Sequence, residues 1–148
     1  MSCRLLMLDG DGIGPEIVSA THQVLELVSG KYALGIEFAQ AQIGFAALEA
    51  EGVTISESTI EAALAADGVV LGPVSHNDYP ALEAGGLNPS GMLRKRLDLF
   101  ANIRPARTPR GREAARLIDL VVVRENTEGF YADRNLYLGP GEFMPDPD

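Results

Sequence analysis

Three short apolar runs in the first half of the chain predict strands. They span residues 5–8, 36–41 and 69–71, and glycine or proline turns follow the first and the third. The most apolar short run of the chain, residues 117–123, is predicted to be a central strand of a sheet.

Helical periodicity separates these runs. Residues 15–30 repeat apolar side chains at helical spacing, and the proline that opens this segment suits the first position of a helix. A short helix is predicted over residues 45–49. Another is predicted over residues 58–66, where Ser58 and Glu61 resemble a capping box.

A long segment rich in Gly, Pro, Asn and Asp, residues 73–89, is predicted to be a functional loop. Asn88 is a suitable cap for the next helix, and Pro89 suits its first turn. Residues 101–104 are predicted to be extended because Pro105 disfavours helical conformation in the residue before it.

The alternation of strands and helices predicts an α/β fold with a largely parallel sheet covered by helices. A change of subdomain is predicted near residues 104–112, where prolines and a glycine interrupt the pattern, and a surface loop there is the alternative. A two-stranded arm is predicted beyond Gly129, from Phe130, Tyr131, Leu136 and Tyr137.

Composition limits the class of protein. With 148 residues and 46% hydrophobic side chains, the chain can bury one core. No run approaches the roughly 20 apolar residues of a membrane span, and no signal peptide opens the chain, so a cytoplasmic protein is expected. Cys3 is the single cysteine, which excludes an internal disulfide and a thiolate metal cluster.

The net charge of −9 argues against nucleic acid or an anionic membrane as a partner. Nine of the twelve basic residues nevertheless lie between Arg94 and Arg124, against three acids, so this segment carries +6 and the remainder −15. Such a concentration of arginine favours either a bound small anion or a solvated basic face.

The turn Gly10-Asp11-Gly12-Ile13-Gly14-Pro15 follows a strand and opens a helix, where backbone N–H groups can hold an anion. It matches a dinucleotide fingerprint poorly, since Pro15 replaces the third glycine. Asp9 and Asp11 would also repel a pyrophosphate. A tight structural turn is therefore the preferred interpretation, and a Rossmann fold is not predicted.

Three arginines lie at predicted element termini, where sheets of this class gather ligand groups: Arg94, Arg104 and Arg124. If they converged, their mutual repulsion would require a counter-charge, which a dicarboxylate supplies with bidentate geometry. The alternative is separate salt bridges, for example to Asp98, Asp119 or Glu125.

Tyr131 follows Arg124 closely enough to return to the same cavity, where a phenol can donate a proton to an enolate. The alternative is an ordinary tyrosine between core and solvent. His76 lies in the long loop and is a candidate for contact with a cofactor. No cluster of Asp, Glu, His or Cys has the spacing of a metal site.

Three ordered motifs, residues 8–16, 93–105 and 122–131, together resemble the isocitrate and isopropylmalate dehydrogenase family of β-decarboxylating dehydrogenases. They are Leu-Asp-Gly-Asp-Gly-Ile-Gly-Pro-Glu, Leu-Arg-Lys-Arg-Leu-Asp-Leu-Phe-Ala-Asn-Ile-Arg-Pro and Val-Val-Arg-Glu-Asn-Thr-Glu-Gly-Phe-Tyr. The resemblance covers the whole chain.

The resemblance implies a three-layer α/β/α fold with a largely parallel sheet, unlike a Rossmann domain, and a homodimer joined by the arm. It implies NAD, or NADP, with Mg or Mn as cofactors. In that chemistry the hydroxy acid loses hydride from C2, the metal polarises the new carbonyl, and the β-carboxylate leaves. Residues 1–104 would begin the large domain, and residues 105–148 the second.

By motif position, Arg94, Arg104 and Arg124 look like the arginines that grip the malate portion of the family's substrates. Tyr131 looks like the tyrosine that protonates the enol. The substrate would be a dicarboxylate or tricarboxylate hydroxy acid of the isopropylmalate, isocitrate, tartrate or homoisocitrate kind.

The resemblance also implies roles outside the arginines. Ile13 falls where the glycine turn approaches the cofactor, and Ser75 and His76 fall near the nicotinamide. Asn88 and Ser90 precede the first arginine, where they would hydrogen-bond a polar substituent of the substrate.

Family members are more than twice as long as this chain. The missing half would carry the catalytic lysine, the metal ligands and most of the adenine pocket, so the chain is expected to be a truncated portion without turnover of its own. The alternative is a non-catalytic relative that acts as a dimerising or anion-binding module.

Overall fold

The first predicted strand lies at the centre of a parallel sheet in the computed structural model of the chain. The strands are β1 (Cys3–Leu8), β2 (Ile36–Ala41) and β3 (Gly68–Leu71), in the order β2-β1-β3. Cys3 pairs with Ile36, and Leu5 pairs with both Phe38 and Gly68. The structure describes residues 3–109, 111, 117–127, 136–139 and 142–145.

Four α-helices connect or follow these strands: α1 (Gly14–Tyr32), α2 (Phe45–Glu51), α3 (Glu57–Leu64) and α4 (Pro89–Arg96). A 3-10 turn over Leu82–Ala84 interrupts the predicted loop of residues 73–89. Among the described helices, none combines the length and the apolar composition that a bilayer span requires.

The predicted end of α1 at Gly30 is wrong, because the helix continues to Tyr32. Ala33 caps it in the left-handed conformation, with φ of 51°, and its N–H donates to the carbonyl of Ser29. A glycine inside a helix costs only about 1 kcal/mol, which the surrounding turns can offset.

The predicted capping box is also wrong, because Ser58 lies inside α3 and Ser56 occupies the N-cap position. The Ser56 hydroxyl lies 2.9 Å from that of Ser58 instead of capping the backbone. The prediction for α4 is confirmed: Asn88 is its N-cap, and the Asn88 Oδ1 atom accepts a hydrogen bond of 3.2 Å from the Gly91 N–H.

The crossovers place helices on both faces of the parallel sheet. The chain passes from β1 to β2 on one side, then returns past β1 to β3 on the other. Nearly all parallel crossovers are right-handed, so we expect α1 and the α2–α3 pair to cover opposite faces. Leu6 and Leu8 pack with Ile60 and Leu93 in the buried core, while Met7 points to the opposite face. The α/β class with a parallel sheet is confirmed.

The chain forms two compact units, residues 1–97 and 98–148. β4 (Ala101–Arg107) exchanges hydrogen bonds with β5 (Asp119–Glu125) along its whole length, so it belongs with the second unit. The domain boundary between residues 104 and 105 stays a prediction.

The prediction that residues 117–123 form a central strand is wrong. β5 pairs antiparallel with β4 in a two-stranded ribbon, and its four apolar residues from Leu120 to Val123 are 49–64% exposed. A second antiparallel pair joins β6 (Leu136–Gly139) to β7 (Glu142–Pro145). Phe130 and Tyr131 of the predicted arm lie outside the described residues.

A buried carboxylate joins three segments of the chain at the carboxyl end of β1. Asp11 is 7% exposed, and its Oδ1 accepts from the Phe45 N–H at 2.8 Å. Its Oδ2 accepts from the Ser75 N–H at 2.9 Å and from the Tyr79 hydroxyl. The turn after β1, the start of α2 and the loop after β3 are thereby held together.

The protonation of this pair follows from its hydrogen bonds. Burial alone would raise the pKa of Asp11, but the Ser75 N–H, the Tyr79 hydroxyl and the Phe45 N–H favour the carboxylate and lower the pKa below its ordinary value. Burial, the hydrogen bond to Asp11 and the negative charge of Asp11 raise the pKa of Tyr79. Asp11 is therefore ionised and Tyr79 neutral over the physiological range.

The predicted functional loop is anchored by a second buried side chain. The Thr54 hydroxyl donates to the Leu87 carbonyl at 2.5 Å and lies 3.3 Å from the Gly85 carbonyl oxygen. The Thr54 N–H donates to the Gly85 carbonyl at 3.0 Å, and the Thr54 carbonyl accepts from the Gly44 N–H at 2.7 Å. The loop is therefore fixed at Ser75 and Tyr79 by Asp11, and near its end by Thr54.

We expect Tyr79→Phe to lower the free energy of unfolding by about 1.5–3 kcal/mol, the contribution of a hydrogen bond to a charged group. Urea denaturation at neutral pH measures this. Tyr32→Phe is the matched control, since Tyr32 is exposed and that change should leave the unfolding free energy nearly unchanged. Equal effects of the two substitutions would contradict the role of the Tyr79 hydroxyl.

The stability contributed by Asp11 should depend on pH. Because folding lowers its pKa from 3.8, the contribution is complete above that value and is lost as pH falls through the lower pKa of the folded state. The difference in unfolding free energy between the native chain and Asp11→Asn should therefore shrink in acid below pH 3.8. Asp78→Asn, at an exposed position in the same loop, is the control, and its difference should be small at neutral pH.

Candidate functional site

The strand order reverses beside β1, between the carboxyl ends of β1 and β3. In open α/β sheets, ligands bind outside the carboxyl ends of the strands at such a point. Ile13 follows β1, while Ser75 and His76 follow β3. The topology thus brings the three predicted cofactor residues to one edge of the sheet.

The two segments at this edge approach each other closely. The Asp11 N–H donates to the Pro73 carbonyl at 2.7 Å. A Cβ atom on Gly10, whose φ is +75°, would lie 2.1 Å from the same carbonyl oxygen, so only glycine fits here. Ile13 and His76 are exposed at this edge, and the Ser75 N–H is held by Asp11.

Three predicted substrate residues lie on α4 and its cap. Ser90 and Arg94 are one helical turn apart, and the Arg94 Nε donates to the Ser90 carbonyl at 3.3 Å. Arg94 is half-buried, so its guanidinium is held against the start of the helix. The side-chain oxygen of Asn88, Oδ1, accepts the N-cap hydrogen bond. Its side-chain NH₂ group is therefore the donor that Asn88 can offer to a substrate.

The other two arginines share one face of the β4–β5 ribbon. Asn102 lies directly opposite Arg124 in the antiparallel register, and Arg104 lies two positions further along β4. Since side chains alternate between faces, Asn102, Arg104 and Arg124 point to the same side. The Arg104 Nε donates to the Asn102 Oδ1 atom at 3.0 Å.

The opposite face of the ribbon carries neither of these two arginines. It presents Ile103, Val121 and Val123, and at its end Arg107 pairs with Asp119 at 3.1 Å. Of the acids suggested as partners for the three arginines, Asp119 therefore forms an ion pair with a different arginine.

Hydrogen bonds close the ribbon at both ends. The Asn126 N–H donates to the Phe100 carbonyl at 2.9 Å, and its side-chain amide donates to the Leu99 carbonyl at 3.0 Å. At the other end, Thr108 and Ile118 exchange two bonds of 2.8 Å: the Thr108 N–H donates to the Ile118 carbonyl, and the Ile118 N–H donates to the Thr108 hydroxyl. These bonds hold the register that keeps the two arginines on one face.

The convergence of all three arginines stays a prediction, because Arg94 belongs to the first unit and Arg104 and Arg124 belong to the second. The predicted acid, Tyr131, lies outside the described residues. Within the ranges that the structure describes, no group of three His, Cys, Asp or Glu residues is placed to hold a metal ion.

Sequence reasoning missed two contacts in these regions. Asp11 was interpreted as a charge that would repel a pyrophosphate, whereas its carboxylate is occupied by internal hydrogen bonds from distant parts of the chain. Asn102 was not singled out, although its spacing of two from Arg104 in a segment predicted to be extended indicates a shared face.

Comparison with known proteins identifies the relatives. The isocitrate/isopropylmalate dehydrogenase family matches residues 4–138. The 3-isopropylmalate dehydrogenase of Hahella chejuensis is 40% identical over 141 residues, which cover 88% of this chain and 39% of the relative. That of Pseudomonas syringae pv. syringae is 41% identical, with the same coverage of both chains. The chain therefore spans about two fifths of the length of these relatives.

Solved structures give the same result. Isocitrate dehydrogenase from Methylococcus capsulatus is 30% identical with a TM-score of 0.70, and the match covers 97% of this chain and 40% of that one. A β-decarboxylating dehydrogenase from Thermococcus kodakarensis is 28% identical with a TM-score of 0.65, over 97% of this chain and 39% of that one. The chain belongs to the isocitrate/isopropylmalate dehydrogenase family.

Proposed function

We propose that the chain is the N-terminal portion of an enzyme that oxidatively decarboxylates a 2-hydroxy dicarboxylate of the malate type. NAD or NADP would accept the hydride, and Mg or Mn would be the metal. The family membership supports the reaction type, and the cationic face of the β4–β5 ribbon supports the substrate class.

The observation that carries the proposal is the placement of Arg104 and Arg124 on one face of the ribbon. Two guanidinium groups on neighbouring strands repel each other, and a dianion offsets both charges at once. Each guanidinium presents paired N–H donors that match the geometry of a carboxylate. The pair therefore favours a ligand with two carboxylates over one with a single negative charge.

Residues of α4 would extend this site. Arg94 would supply the third guanidinium, with Asn88 and Ser90 as hydrogen-bonding groups for the substituent of the hydroxy acid. The hydrogen bond from Arg94 to the Ser90 carbonyl supports this proposal, since it limits the rotation of a long side chain before a ligand binds.

The carboxyl edge of β1 and β3 would bind the dinucleotide. The strand reversal, the exposed Ile13 and the tethered Ser75 support a cofactor site there, with His76 beside it. NAD, when bound, supplies the acceptor for the hydride from C2. Asp11 keeps its negative charge, but hydrogen-bond donors surround its carboxylate, which partly offsets the repulsion of a phosphate that the sequence alone suggested.

The described residues do not fit the metal, and we derive no step through it.

Tyr131 is proposed as the acid that protonates the enol after decarboxylation. A homodimer joined by the arm and a second domain that begins near residue 105 are further proposals that rest on the family. The substituent of the hydroxy acid stays open: the curated relatives are named for isopropylmalate, and a solved relative is named for isocitrate.

We expect Arg104→Ala or Arg124→Ala to weaken malate binding about tenfold to hundredfold, the equivalent of one charge-assisted hydrogen-bonded contact. Titration of the 148-residue chain with malate, followed by NMR at low ionic strength, measures the Kd. Arg107→Ala is the matched control, because Arg107 lies on the opposite face of the same ribbon and pairs with Asp119. Equal effects of all three substitutions would refute a specific anion site.

We expect no substrate-dependent NADH formation by the 148-residue chain, since it spans about two fifths of the relatives that carry out the whole reaction. The assay contains Mn²⁺, NAD and a panel of malate, tartrate, isopropylmalate, isocitrate and homoisocitrate. Clear NADH formation would contradict the expectation. Binding without turnover, together with a stop codon after Asp148, would favour the alternative of a non-catalytic anion-binding module.

A further inference from the structure

We propose that Asn102 is a positioning residue of the anion site, whose side-chain oxygen orients the Arg104 guanidinium beside Arg124. This inference rests on the proposed function and assigns a role to a residue outside the three arginines. Its basis is the hydrogen bond of 3.0 Å from Arg104 Nε to Asn102 Oδ1 and the register of the two strands.

The register makes Asn102 the centre of a three-residue group. It is directly opposite Arg124, and it precedes Arg104 by two positions on the same face. Diagonal neighbours on an antiparallel pair are about 7–8 Å apart, within reach of long side chains. A contact with Asn102 therefore directs the Arg104 guanidinium towards the strand that carries Arg124.

Arg104 needs such a contact because it is exposed, whereas Asn102 and Arg124 are half-buried. A solvated arginine samples many rotamers, and fixing them on binding lowers affinity. The bond to Asn102 limits this freedom before the ligand arrives. It also occupies the Nε edge of the guanidinium, so the two Nη groups are the edge that Arg104 presents to a carboxylate.

The neutral amide suits this role better than a carboxylate would. Asparagine accepts the Nε hydrogen bond without adding a negative charge beside either arginine. Aspartate at the same position would accept the same bond, but it would place a negative charge opposite Arg124. The two chemistries can therefore be separated by substitution.

The test measures the Kd for malate of the 148-residue chain and of N102A, R104A and the double variant, by NMR titration at low ionic strength. We expect N102A to weaken binding about threefold to tenfold, the equivalent of one neutral hydrogen bond. In the R104A background the same substitution should have little effect, because the group that Asn102 positions is gone.

Two further variants separate positioning from stability. R107A removes an ion pair on the opposite face of the same ribbon and should leave the Kd for malate unchanged. N102D should keep the Arg104 Nε–H signal of the native chain in ¹H–¹⁵N spectra but weaken malate binding more than N102A does. In N102A that signal should exchange faster with water.

The outcomes are distinguishable. Weaker binding by R104A with an unchanged Kd in N102A would overturn the role of Asn102 and leave the proposed function intact. Equal losses in N102A and R107A, or a loss in N102A that persists in full without Arg104, would reduce Asn102 to a structural residue and overturn the inference. Absence of saturable malate binding by the native chain would overturn both proposals.

Discussion

The first unit depends on one buried negative charge. The Asp11 carboxylate accepts hydrogen bonds from the start of α2 and from two points of the loop after β3, so three segments that are distant in the chain meet at one atom group. A buried carboxylate is costly unless donors surround it, and here backbone N–H groups and a phenol supply them. The segments at the carboxyl edge of the sheet are therefore held in place before any ligand binds.

The second unit holds two like charges near each other. An antiparallel ribbon places Arg104 and Arg124 on one face, and the neutral Asn102 lies between them. The helix that carries Arg94 belongs to the first unit, and its substrate groups are organised separately by the N-cap and by one turn of the helix. Each unit thus contributes preorganised groups for the reaction proposed for this family member.

Local signals predicted the parts of the fold that depend on neighbouring residues. β1 and the N-cap at Asn88 were predicted correctly, because an apolar run with a glycine turn and a capping side chain are properties of short segments. The role of Asp11 was not predictable, since Tyr79 and the other donors lie far along the chain. The error over residues 117–123 has a similar origin: apolar composition predicts a strand but not its partner, its direction or its burial. The shared face of Arg104 and Arg124 likewise depends on pairing between strands.

The hydrogen bonds at the two ends of the ribbon have a consequence for the anion site. A strand alternates its side chains, so a slip of β5 by one residue would carry Arg124 to the opposite face from Asn102 and Arg104. Short two-stranded ribbons resist such slippage poorly by themselves. Two sets of hydrogen bonds oppose this slip: those from Asn126 to residues 99 and 100, and those between Thr108 and Ile118. Residues that would not contact the ligand thus preserve the register on which the anion site depends.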